Sequence, residues 1–152
     1  MNSKDSLTKF GKTSFSEAEV GEVVDCLYDR MGNCRIFAFS GPLGAGKTTI
    51  IRSLLRKAGV YEPITSPTFT YVNHYRNEKG QKFYHFDLYR MESVADFLDA
   101  GFEEYFFEPN SWCFIEWPEI IYSLLPEQAC CVILDYHNEK RTIALRQGCE
   151  KK

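Results

Sequence analysis

Along the 152 residues the period of the apolar positions changes several times, and each change marks a new element. Between 16 and 31, Val20, Val23, Val24, Leu27 and Tyr28 form one stripe at helical spacing. Ser16-Glu17-Ala18-Glu19 ahead of it has the S-x-x-E spacing of a capping box, and Gly32-Asn33 supplies a stop. The run 34–40, ending Phe37-Ala38-Phe39-Ser40, reads as a buried strand. Residues 47–58 return to the helical period, with Ile50, Ile51, Leu54 and Leu55 turned inward and Gly59 as the stop. Runs 68–75 and 81–87 alternate around a polar turn, which predicts a hairpin. A short helix is predicted at 93–100, a strand at 112–116, a helix opened by Pro118 and running to 124, and a terminal hairpin from 129–135 and 140–146. Helices alternating with strands predict an α/β fold, a three-layer sandwich around a mixed, mainly parallel sheet. One domain is expected over 1–152, with loose tails at 1–6 and 148–152.

Composition narrows the class. Apolar residues make up 44% and charged residues 26%, so a packed core is affordable. The formal net charge of -3 argues against a dedicated nucleic-acid-binding surface, DNA included, and Lys140, Arg141, Arg146, Lys151 and Lys152 form only a weak basic grouping. No apolar run reaches the roughly 18 residues of a membrane span, and the polar start 1–5 carries no signal segment. None of the six cysteines forms a C-x-x-C pair, and five sit in or beside apolar runs as small core hydrophobes. A reduced, cytoplasmic protein is expected.

The most specific chemical signal is Gly41-Pro42-Leu43-Gly44-Ala45-Gly46-Lys47-Thr48, a full G-x-x-x-x-G-K-[ST] match between a predicted strand and a predicted helix. Glycines let successive backbone amides turn toward an anion, and the helix start adds its positive end. Lys47 suits β- and γ-phosphates, Thr48 suits Mg²⁺, and Thr49 can support Thr48 or meet the α-phosphate. The chain therefore reads as a P-loop NTPase.

Such a site needs an acid at the end of a neighbouring strand. Two runs end in one: 83–87 in Asp87 and 112–116 in Glu116. The first follows a tight turn and should be antiparallel to its predecessor. The second follows a helical stretch that can serve as a parallel crossover. Glu116 is thus favoured as the metal acid, with Asp87 as the second acid orienting water or the metal's outer ligands. Ser66 and Thr68, around Pro67, lie where a nucleotide-sensing loop would be, or simply lead into a strand.

Taken together, the 41–49 loop, Ser66-Pro67-Thr68-Phe69-Thr70, His85-Phe86-Asp87-Leu88-Tyr89-Arg90 and Ile115-Glu116-Trp117-Pro118-Glu119 resemble the TsaE (YjeE) family over roughly residues 7–146. The resemblance implies an ATPase, with ATP and Mg²⁺, that supports threonylcarbamoyladenosine formation at position 37 of tRNAs reading codons that begin with A. It implies a TsaB–TsaD heterodimer as partner, with TsaD doing the transfer chemistry and tRNA met only indirectly. Carried onto this chain, Lys47 and Thr48 bind phosphate and metal, and Asp87 and Glu116 are essential to turnover. Thr13 and Phe15 fall in the stretch beside adenine, and Trp117 lies near the nucleotide as a reporter, a packing wall or a plain core aromatic. Pro42 stands where the family usually has Asp. His85 and His74 read as packed or hydrogen-bonded histidines. The competing readings are a small nucleotide or metabolite kinase, a GTPase, for which the guanine-selecting N-K-x-D segment is missing, and a non-hydrolysing assembly module.

Overall fold

The computed structural model describes residues 12–67, 69–138 and 140–149. Thr68, the side chain of Thr13, the tail 1–6 and residues 150–152 lie outside what it describes.

Seven strands form one sheet: β1 (Lys12–Phe15), β2 (Ile36–Ser40), β3 (Val72–Arg76), β4 (Lys82–Asp87), β5 (Ser111–Glu116), β6 (Cys130–His137) and β7 (Lys140–Gln147). Their order is β1-β7-β6-β2-β5-β4-β3. The four central strands β6, β2, β5 and β4 are parallel, and the pairings outside them are antiparallel. The expected parallel character therefore holds at the centre, with hairpins finishing both sides.

Alternation along the central strands makes two cores. Phe37, Phe39, Phe83, Trp112 and Phe114 face α1 (Val20–Arg30) and α2 (Lys47–Lys57), while Ile36, Tyr84, Phe86, Cys113 and Ile115 face the other way. The second face is covered by α3 (Val94–Asp99) and by two 3₁₀ segments, Phe102–Phe107 and Pro118–Leu124. A three-layer sandwich results. The indole Nε1 of Trp112 donates to the Met31 carbonyl at 2.8 Å, pinning the end of α1 to the sheet.

Several boundaries moved. The first turn after Ser16 is 3₁₀, with Glu19 accepting from both the Ser16 amide and its hydroxyl, before α1 begins. β2 starts at Ile36, because the Cys34 amide is still bonded to the Arg30 carbonyl. β3 starts at Val72, after Tyr71 takes a left-handed φ of 65°. The predicted helix after Pro118 is a pair of 3₁₀ turns broken at Ile121. The expectation of fully reduced thiols is corrected too: Cys131 is joined to Cys149 by a disulfide with Cα atoms 5.4 Å apart, within the span such a link needs. Cys26, Cys34, Cys113 and Cys130 are free and buried.

β3 lies at the sheet's edge, but its outer side is not bare. The Arg76 amide donates to the Glu62 carboxylate at 3.2 Å, and the Asn73 side chain donates to the Thr65 carbonyl at 2.8 Å.

Candidate functional site at the ends of the parallel strands

In an open parallel sheet, ligands gather beyond the carboxyl ends of the strands. Here β2, β4 and β5 end side by side: Phe39 is level with Glu116, and Glu116 with Asp87. The Trp117 amide donates to Phe39 O at 3.3 Å and the Leu88 amide to Glu116 O at 3.1 Å, which stitches the three ends together.

The loop from β2 into α2 needs its glycines for stated reasons. A Cβ on Gly41 would run into the Leu134 carbonyl of β6, so the loop can pass this close only without one. Gly46 caps α2 at φ 102°, a conformation that side chains disfavour. Helix α2 opens with no acidic residue and no capping side chain, which leaves its first amides and positive end facing the loop.

Leu43, Gly44, Ala45, Gly46, Lys47, Thr48 and Thr49 line one cavity of about 280 Å³. Asp87, Glu116 and Trp117 line the same cavity. The Thr48 hydroxyl donates to Glu116 Oε1 at 2.8 Å. Glu116 is buried, and its second oxygen, Oε2, lies 2.6 Å from His85 Nε2. His85 is fully buried, and its Nδ1 has no partner. An Nε2–H tautomer satisfies this arrangement, since a proton on Nδ1 would be a buried donor with nowhere to go.

The Lys47 ammonium bonds the carbonyls of Gly41 and Pro42 and lies 3.5 Å from the centre of the Trp117 ring. Burial holds its pKa below the ordinary value, against the opposing charges of Glu116, Glu119 and Asp87. Burial raises the Asp87 carboxyl above its usual range, with the Tyr89 amide pulling the other way at 3.1 Å from Oδ1. Trp117 sits at φ 57°, which turns the chain sharply between the acid and Pro118.

Residues 2–143 match the family model described as threonylcarbamoyl adenosine biosynthesis protein TsaE. The chain belongs to the TsaE family. It is 42% identical over 106 residues to the Haemophilus influenzae tRNA threonylcarbamoyladenosine biosynthesis protein TsaE, covering 70% of this chain and 66% of that one. The Bacillus subtilis protein of the same name is 34% identical over 99 residues, covering 65% and 60%. The chain thus spans just under two-thirds of the length of these relatives. The crystal structure of Bacillus subtilis YdiB superposes with a TM-score of 0.66 and 26% identity, covering 91% of this chain and 86% of that one.

Not every residue expected from the TsaE resemblance is drawn into the cavity. Gly41 lies behind the loop and shapes it. Phe15 is buried beside a separate hollow of about 220 Å³, shared with Ser14, Ser16, Glu19 and Lys140. Ser66 is half-buried and lines neither space. His74, by contrast with His85, is exposed against Tyr84 and Tyr105. A larger hollow of about 390 Å³ on the β3–β4 hairpin holds Arg76 and Lys82, but Lys82 is paired with Glu108 at 2.7 Å and Glu62 stands at the wall.

Two members of the site had been given no role in it. His85, though inside the 85–90 motif, was read only as a packed or bonded histidine, and its two-residue spacing from Asp87 was the signal that it shares a face with the acid. Arg141 lines the cavity from β7 and had been placed only in a weak basic grouping. Among the described residues, no three His, Cys, Asp or Glu side chains cluster as a metal cage, and no helix is long and apolar enough to cross a membrane.

Proposed function

We propose that this chain binds ATP with Mg²⁺ at the 41–49 loop and hydrolyses it slowly, in support of threonylcarbamoyladenosine formation at A37 of tRNAs reading codons that begin with A. In this reading it acts on a TsaB–TsaD complex and meets tRNA only through it. The observation that carries the proposal is the 2.8 Å bond from the Thr48 hydroxyl to Glu116. It places a loop hydroxyl and a strand-end carboxylate together where a P-loop enzyme holds its metal.

Thr48 and Glu116 would hold the magnesium, directly or through water, with phosphate oxygens completing its shell. When bound, the metal supplies positive charge to the phosphoryl group in transfer. The loop amides and the start of α2 bind the phosphates, and Lys47 neutralises the terminal ones. His85 fixes the orientation of Glu116 from behind. Asp87 orients the attacking water, and the hollow beside Phe15 takes the base.

Calorimetry with ATP and Mg²⁺, followed by hydrolysis assays with and without TsaB–TsaD, tests the reading. Wild type should release heat and turn over, Lys47→Ala should bind far more weakly, and Asp87→Ala should bind but hardly hydrolyse. No heat from wild type, or normal turnover by Asp87→Ala, would reject it.

A further inference from the structure

The 41–49 cavity lies at the end of β4, beyond Asp87; the hollow of about 390 Å³ opens near its start, at Lys82 and Tyr84. Strand register explains what lines it. His74 stands level with Tyr84, and Arg76 with Lys82, so two cross-strand pairs project from one face of the hairpin. His74 meets the rings of Tyr84 and Tyr105 edge-on, with centres 5.2 and 5.1 Å away, and its Nε2 lies 3.2 Å from the Tyr105 hydroxyl. This packing holds the aromatic wall in place.

Arg76 beside Lys82 puts two cations together, which costs stability unless anions answer them. Glu108 answers Lys82 at 2.7 Å. Glu62 is engaged by the Arg76 main chain, accepting from its amide at 3.2 Å. The Arg76 guanidinium itself has no hydrogen-bond or ion-pair partner among the described residues. A second group in the same hollow is also unpartnered. Tyr84 is only 6% exposed, and its hydroxyl has no hydrogen-bond partner among the described residues, yet it is not sealed from solvent. The hollow is the space it opens on. Burial, with Glu108 beside it, raises the Tyr84 pKa, while Arg76 is near enough to pull the other way. The hydroxyl therefore keeps its proton at neutral pH and can donate.

A free guanidinium fork and a free hydroxyl need an acceptor. A planar carboxylate meets such a fork with two parallel bonds. Glu62 and Glu108 leave the hollow with little net positive charge, which suits a singly charged head and opposes a phosphate dianion. The volume is that of sites for small organic ligands. We propose that this hollow binds an organic carboxylate, with the head on Arg76 and the Tyr84 hydroxyl and the body against the His74 ring. None of these three residues lines the 41–49 cavity, so the site stands whether or not that cavity takes ATP.

N-acetylphenylalanine, its amide and phenyl phosphate share a phenyl ring and differ in the head. Titrated into the full chain and followed by two-dimensional NMR, the acid should shift the amides of residues 74–76 and 82–84 with a Kd of about 1 mM. The amide and the phosphate should bind at least about tenfold more weakly. Arg76→Gln should weaken the acid about ten- to hundredfold, and Tyr84→Phe, which keeps the ring, about fivefold. Lys47→Ala should leave the titration unchanged. Thermal melts run beside the variants, and Tyr84→Phe carries the test alone should Arg76→Gln fold poorly. A tetrapeptide ending in phenylalanine with a free carboxyl separates the sources: tighter binding than the acid supports the site as a seat for a chain end, and equal or weaker binding supports it as a seat for a small molecule. No shift from the acid at about 10 mM would overturn the proposal. So would equal binding of the amide, preference for phenyl phosphate, or wild-type affinity in folded Tyr84→Phe and Arg76→Gln.

Discussion

The two faces of the sheet are built differently. One is covered by α1 and α2, each of 11 residues, over rings stacked nearly flat: Phe37 on Phe114 at 26°, Phe83 on Phe114 at 17° and Phe83 on Trp112 at 22°. The other is covered by the six residues of α3 and two 3₁₀ segments. Its rings meet at mixed angles, 31° for Phe97 on Phe106 and 72° for Phe86 against Phe102. His85 follows Phe83 by two residues and Glu116 follows Phe114 by two, so the candidate site stands on the first face, directly above the flat stack. Groups that must hold a fixed geometry sit on regular helices and parallel rings. Most irregular turns lie on the other side, which meets the cavity at Trp117, the residue that opens the 3₁₀ segment Pro118–Leu124.

Substitutions on the two faces should separate these roles. Phe114→Ala opens a cavity beneath Glu116 and should cost about 4 kcal/mol, read by urea unfolding, and it should lower turnover even where the chain remains folded. Phe97→Ala empties an equally buried position on the second face and should cost about 3 kcal/mol while leaving nucleotide affinity unchanged. A drop in affinity for that variant would show that the faces are not separable. His85→Ala leaves a buried Glu116 oxygen without its donor and should cost about 2 kcal/mol. His85→Gln, which can still donate, should recover part of both stability and turnover. The smallest effect belongs to Ser93→Ala, which removes the α3 cap bonded to the Asp96 amide at 3.1 Å. It should cost about 1 kcal/mol in the same unfolding assay and nothing in turnover.

What could be read from the chain depended on whether the signal was local. The loop 41–48 is contiguous, so its glycines, Lys47 and Thr48 declare themselves in order. Glu116 and Asp87 were readable because each ends an apolar run, and the crossover argument correctly made β5 parallel. Arg141 was not, because its place depends on β6 running parallel to β2 and on the register of β7 beside it. β1 was missed because four residues without strong alternation form a strand only by borrowing β7. The segment Phe102–Phe107 is aromatic throughout its second half and shows no helical stripe, so nothing in its spacing announced a 3₁₀ turn. The Cys131–Cys149 link joins a strand to the chain's end, a pairing that cysteine spacing alone does not specify.

The covering of β3 reaches beyond the single molecule. A strand left bare at a sheet's margin is a template on which a second copy can lay its own backbone, and then a third. Here Glu62 and Thr65 occupy donors on that margin, so an approaching strand meets a flank already in use. At the opposite margin, β1 spans four of the described residues, Lys12–Phe15. The same short contacts that finish the sheet thereby discourage runaway stacking when the protein is crowded or concentrated.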